Sequence, residues 1–188
     1  MAPVIITAEA GNRAELMRFG LVPYFTRGEL PTFATINARV ENLQSTPSWR
    51  GPWLRGQRCV VPASGFYEWQ VQADGKSREP YFIRLADREV FAFAGLWDRS
   101  IRADGSSIYS FAIITIPAVG RLAEIHNAKQ REPAILAAEH HATWLAGAAP
   151  VALATLRPYP DELLLDWRVA RRVNAADNND AALLDQLP

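Results

Sequence analysis

The sequence predicts an α+β domain that is mainly antiparallel β, with a partly closed sheet or barrel core and a few short helices. Three observations predict it. Short runs rich in Val, Ile, Phe, Tyr and Trp recur at hairpin spacing with turn signals between them. The strand–helix alternation of a doubly wound sheet is missing. So many short strands would leave open edges unless the sheet closed on itself. At 188 residues and 49% hydrophobic content the chain can bury one substantial core. A single domain over residues 1–188 is expected, with 174–188 as a frayed tail rich in Asn, Asp and Ala.

Pro3 to Thr7 reads as a strand or extended arm, and Glu9 to Arg13 as its turn. Phe19, Leu21 and Val22 look strand-like up to Pro23, which removes a donor. In FATINAR, residues 33–39, Asn37 and Arg39 would share a face at strand period, yet Asn is also a good N-cap and a short helix from Ala38 to Leu43 is the favoured pattern. Pro47 to Trp53 predicts a helical piece broken at Gly51-Pro52, with its tryptophans packed on the sheet. Cys59–Val61 and Phe66–Val71 are two strands joined by a Pro62–Gly65 corner.

A hairpin loop at Gln72–Ser77 leads to a strand at Pro80–Leu85, and a second hairpin over Asp87–Glu89 to one at Val90–Trp97. Ser107–Ile116 is almost continuously apolar, as a strand buried on both faces is. Gly120–Ile125 predicts a short helix that delivers His126, and Pro133 opens another strand. Ala137–Ala146 is an amphipathic helix stopped by Gly147, with His140 and His141 solvated. Val151–Leu156 and Arg168–Val173 are expected as final strands around a short helix led by Asp161.

Twenty basic and twenty acidic residues give a formal charge of zero, so no global field draws the chain to nucleic acid or an anionic membrane. Any anion site must be local. Only Lys76 and Lys129 are lysines; the other eighteen basic residues are Arg, which suits forked phosphate contacts. Between Arg13 and Arg58, seven Arg face three Glu, a weakly basic stretch. The lone Cys59 excludes an intramolecular disulfide framework, and no apolar run is long enough to span a bilayer. A cytoplasmic monomer is expected. Three histidines without zinc spacing, and no glycine-rich phosphate loop, predict neither metal nor nucleotide cofactor.

Two residues carry the chemical interest. Glu68 places a carboxylate in an apolar, aromatic run; in an apolar cleft it would hold or pass a proton near neutrality, and beside an Arg it would stay charged and structural. His126 stands where polar sequence resumes, and is either a structural or a catalytic imidazole. Phe19 among Arg18 and Arg27 fits a base-stacking platform as well as ordinary core packing.

In order, MRFGLVP, INARVEN, RCVVPASGFYEW, FAFAGLWD, FAIITIPA and IHNAKQREPAIL resemble the SOS-response-associated peptidase (SRAP) family over about Met17 to Leu145. The resemblance implies a DNA-repair protein of the SOS response, acting on abasic sites in single-stranded DNA. In that family a cysteine after the initiator methionine joins the ring-opened sugar as a thiazolidine. By motif, Asn37 would orient nucleophile and sugar, Glu68 would hold or deprotonate the amine, and His126 would open the ring and shuttle protons. Arg39 and Arg131 would bind flanking phosphates, and Phe19 and Trp69 would lie against the DNA.

The sequence departs from the pattern at its start, Met1-Ala2-Pro3, and is read either as a truncated chain or as a variant that has lost its nucleophile; as written, thiazolidine crosslinking is expected to fail. A Schiff base from the amine of Met1 or Ala2 is the covalent alternative. Cys59 reads as a small buried hydrophobe. Glu132 stands where the family has Met, and is expected to weaken phosphate binding at Arg131. Two other functions compete. One is a non-covalent single-strand-binding module, and the other a Glu/His hydrolase, for which Ser64 lacks the usual nucleophile elbow.

Overall fold

The computed structural model describes residues 1–187. In chain order it forms β1 (Ala2–Ala8), β2 (Gly11–Phe19), β3 (Asn37–Arg39), α1 (Pro47–Leu54), β4 (Arg58–Ala63), β5 (Phe66–Val71), β6 (Arg78–Leu85), β7 (Phe91–Ile101), β8 (Ser107–Pro117), α2 (Gly120–Ile125), β9 (Arg131–Pro133), β10 (Ile135–Leu136), α3 (His141–Ala146), α4 (Ala149–Leu153) and β11 (Leu164–Arg168). Short 3-10 turns link several of them. The chain divides into two compact units, each built from three separated stretches.

The first unit comprises Met1–Pro62, Phe91–Ile116 and Pro133–Arg157. Its strands close in the order β1–β2–β8–β7–β4 and back to β1, a five-stranded barrel, with β10 added beside β7. Closure satisfies the edges, as the strand count required. Most pairings are antiparallel, but β8 takes β2 and then β3 as parallel partners along one edge. Hairpin spacing carried no sign of that, because the partners are long-range.

Inside this unit, Leu96, Ala112, Ile114 and Trp144 are fully buried, and the Trp49 and Trp53 side chains of α1 pack into the same core. The helix runs through Gly51-Pro52 unbroken. Gly95 of β7 is needed for close approach: a Cβ there would stand 2.7 Å from Cys59 Sγ and 2.9 Å from the Ala112 carbonyl oxygen. The buried Arg58 guanidinium donates to the Trp144 and Gly147 carbonyls at the end of α3, where helix carbonyls favour a cation.

Several expectations fail here for identifiable reasons. Leu21 and Val22 lie beyond β2, their N–H groups taken by the Thr35 carbonyl and the Ser110 hydroxyl instead of a ladder. Asn37 opens β3 and is no helix cap; Arg39 precedes the 3-10 turn Val40–Asn42. Val151–Leu156 is not a strand, since Pro150 in the first turn and flanking alanines form α4. The predicted helix over 137–146 is split into a 3-10 turn, Ala138–His140, and α3. His140 and His141 are half-buried instead of solvated.

The second unit comprises Ala63–Val90, Pro117–Glu132 and Pro158–Pro188. It is built on a three-stranded antiparallel sheet, β5–β6–β11. The β5–β6 hairpin is as predicted, its loop held by Asp74, which accepts from the Lys76 and Ser77 N–H groups. No second hairpin joins β6 to β7, because they belong to different sheets. The last strand lies at Leu164–Arg168, and Arg171–Asn174 is a 3-10 turn where a strand was expected.

On one face of the sheet Phe82 sits 5.2 Å from both the Tyr67 and Trp167 rings. The segment beyond Asn174 is tied to this face. Leu183 is buried in a 3-10 turn, the Trp167 indole donates to the Leu184 carbonyl at 2.8 Å, and Leu187 N–H donates to the Arg168 carbonyl. That differs from a frayed tail.

Candidate functional site

The site lies on the other face of that sheet, within the second unit. Strand alternation puts Glu68 and Gln70 of β5 on one face and Tyr67 and Trp69 on the opposite one. Helix α2 lies against the Glu68 face. Gln70 donates to the Glu124 carbonyl at 3.1 Å, and the Asn127 amide grips Val71, accepting its N–H at 3.0 Å and donating to its carbonyl at 2.9 Å. These contacts fix the end of α2, whose next residue is His126.

His126 Nδ1 lies 3.4 Å from Glu68 Oε2 and 2.8 Å from the Arg131 carbonyl oxygen. A carbonyl only accepts, so Nδ1 carries the proton and Nε2 remains the ring's exchangeable position. Behind the imidazole, the turn from His126 to Gln130 closes through two N–H groups, of Lys129 and Gln130, that donate to the His126 carbonyl. Gln130 adopts a left-handed φ of 48° to make that closure.

Burial raises the Glu68 pKa above the ordinary carboxylate value. The His126 ring, the Trp69 N–H and the Lys129 ammonium act in the opposite direction. Glu68 is therefore a carboxyl that can hold a proton, beside an imidazole with one free nitrogen. Both side chains keep about a fifth of their surface exposed, so protons and substrate can reach them.

The sequence-predicted residues divide accordingly. Glu68, His126 and the Arg131 backbone meet in one place. Arg131 is half-buried at the start of β9. Trp69 is on the far face of β5 from Glu68, its indole N–H donating to Asn174 at 2.8 Å. Asn37, Arg39 and Phe19 belong to the first unit. There, Asn37 and Arg39 are exposed on either side of the buried Ala38, so they share one face of β3. Phe19, 43% exposed, stacks on Phe111 with centroids 5.1 Å apart.

Glu132 is the carboxylate expected to weaken phosphate binding at Arg131. It is 3% exposed and its carboxyl accepts from the Val119 N–H at 3.3 Å, just ahead of α2. Burial, with Asp161 nearby, pushes its pKa up to about 7. Sequence reading missed Asn127, Gln70 and Lys129. Their one signal is position, since they follow His126 closely or alternate with Glu68, and nothing in an amide or a lysine announces a partner.

Among the described residues, no three His, Cys, Asp or Glu side chains converge as metal ligands. Cys59, the only cysteine in the sequence, is fully buried in β4 of the first unit, and burial pushes its thiol pKa far above neutrality. No described helix is long and apolar enough to cross a membrane.

The family model described as SOS response associated peptidase (SRAP) matches residues 1–176. The abasic site processing protein YoaM of Bacillus subtilis is 36% identical over 184 residues, covering 96% of this chain and 79% of that protein. HMCES of Gallus gallus, also called an abasic site processing protein, is 37% identical over 142 residues, covering 64% of this chain and 41% of its own length. A crystal structure from Bacteroides thetaiotaomicron superposes with a TM-score of 0.86 at 27% identity, covering 99% of this chain and 81% of that one. A second, from Bordetella bronchiseptica, gives 0.81 at 28% identity, covering 90% and 84%. By family match, sequence similarity and fold, the chain belongs to the SRAP family.

Proposed function

We propose that this chain processes abasic sites in single-stranded DNA, with Glu68 and His126 as its acid–base pair. The observation that carries the reading is the 3.4 Å approach of these two residues, from distant motifs, on one face of one sheet. An abasic sugar is in equilibrium with an aldehyde, and its capture and release require a group that takes a proton and one that gives it. A carboxyl with a raised pKa beside an imidazole with an available Nε2 supplies both.

Asn37 is assigned to orienting the sugar, Arg39 and Arg131 to flanking phosphates, and Phe19 to stacking on a base; Trp69, on the face of β5 away from Glu68 with its indole held by Asn174, is given no part in that contact. The exposed aromatics Tyr24, Phe25 and Phe33 of the first unit support a stacking surface. The protein acts as a cytoplasmic monomer in this reading.

The test uses a single-stranded oligonucleotide with one abasic site and an intact control, on native and denaturing gels. Selective retention of the abasic strand on either gel is expected, and it should weaken when Glu68→Gln and His126→Ala are combined. Equal binding of both strands, unaffected by the double variant, would overturn the proposal.

A further inference from the structure

Abasic-site processing by an acid–base pair still needs a group that attacks the aldehyde. Cys59 cannot reach solvent and holds its proton. Aldehydes are also captured by primary amines, and the sequence contains two lysines. Lys76 sits in the β5–β6 hairpin loop, where its N–H donates to Asp74. Lys129 is exposed in the turn that closes behind the His126 imidazole, and its own N–H donates to the His126 carbonyl at 3.3 Å. The turn is short and doubly bonded, so the Lys129 backbone is fixed to the residue that Glu68 contacts. Its ammonium is also one of the charges that act on the Glu68 carboxyl.

We propose that Lys129 is an amine nucleophile of this site, capturing the ring-opened sugar of an abasic site as a Schiff base. The proposal rests on the abasic-site reading and names an attacking group for it.

The step balances without any oxidant or reductant. Glu68, as carboxylate, takes one proton from the Lys129 ammonium. The freed lone pair forms the Nζ–C1′ bond while the C1′–O π bond breaks, and the oxygen takes the Nε2 proton of His126 in its imidazolium form, leaving the neutral ring with its proton on Nδ1. The added nitrogen then loses a proton, and the hydroxyl of the carbinolamine is protonated and leaves as water, giving the imine. Amine and aldehyde thus become imine and one water, with Glu68 and His126 restored by exchange with solvent. The imine hydrolyses by the reverse route, so the adduct is transient.

The experiment traps it. The full chain is incubated with the abasic oligonucleotide and sodium borohydride, which reduces an imine to a stable secondary amine. Products are resolved on a denaturing gel and the attachment site is mapped by peptide mass spectrometry. Lys129→Arg keeps the positive charge and removes the primary amine, and Lys76→Arg is the control. The expected result is a borohydride-dependent band mapped to Lys129, reduced at least about tenfold in Lys129→Arg and unchanged in Lys76→Arg.

A parallel native gel separates the two levels of failure. If both proteins retain the abasic strand selectively and trapping is unchanged in Lys129→Arg, or maps to the α-amine or Lys76, the lysine assignment is overturned and the abasic-site reading stands. Selective retention with no trapped band in the parent chain has the same meaning. If the parent chain does not distinguish abasic from intact strand, the functional reading fails and the lysine proposal fails with it.

Discussion

At the scale of single residues, the second unit sets two glutamates in contrast. Glu68 is half-open and faces an imidazole, whereas Glu132 is closed off and faces a backbone N–H. The pKa of Glu132 in the fold, about 7, lies above the ordinary glutamate value of 4.5. The native state therefore holds a proton that the unfolded chain has already released. The stability this contributes is fully present below pH 4.5 and is lost as pH rises toward 7. Urea denaturation between pH 4.5 and 8 should show stability falling by on the order of 3 kcal/mol from this group. In Glu132→Gln, which keeps an acceptor for Val119, that slope should disappear.

His126→Ala should slow abasic-adduct formation by roughly 10²- to 10⁴-fold, the usual worth of a positioned acid–base group. Single-turnover gels measure the rate, and native gels should show binding little changed. Glu68 and His126 were conspicuous in the sequence, as a carboxylate among aromatics and a histidine at a polar boundary. Their meeting was not legible: family resemblance gave both a role, but 58 positions of chain separate them and only the fold brings them to 3.4 Å. The contact of Glu132 with the Val119 N–H was not legible, because its partner lies 13 residues away and adjacency to Arg131 in sequence says nothing of it.

Among the elements, the β5–α2 contact depends on the amide of Asn127. Asn127→Ala deletes two hydrogen bonds to Val71 and should release the His126–Gln130 turn. Faster amide exchange across that turn and a stability decrease of about 1–3 kcal/mol are expected. A change in exchange spread evenly over the chain would count against a local clamp. In the barrel, Gly95→Ala forces a methyl against Cys59 and the Ala112 carbonyl, and should cost about 1–3 kcal/mol in denaturant titrations. Central strands such as β7 and β8 were legible from their apolar, β-branched runs. The end of the chain was not: Val151–Leu156 alternates like a strand, but proline and alanines start a helix there, and local pattern alone cannot weigh the two. At Leu21–Val22, side-chain hydroxyl and loop carbonyl partners replaced a ladder, and such partners leave no periodic trace.

Across the whole molecule, zero formal charge means that the proposed DNA binding would rest on a few placed arginines. Replacing both Arg39 and Arg131 by Ala should reduce the slope of log affinity against log salt by roughly 1.4, about 0.7 for each single-strand phosphate that an arginine no longer neutralises. An unchanged slope would remove these residues from the phosphate assignments. The two-unit weave was not legible, because each unit gathers three stretches and sequence pattern reports only local order. The parallel pairing of β2 with β8 sets a schedule on the ribosome. Phe19 is made early, but its partner Phe111 emerges roughly 5–20 s later at about 5–20 residues per second. Through that interval the β1–β2 hairpin has an unclaimed edge, so the nascent chain is most exposed to aggregation before β8 is synthesised.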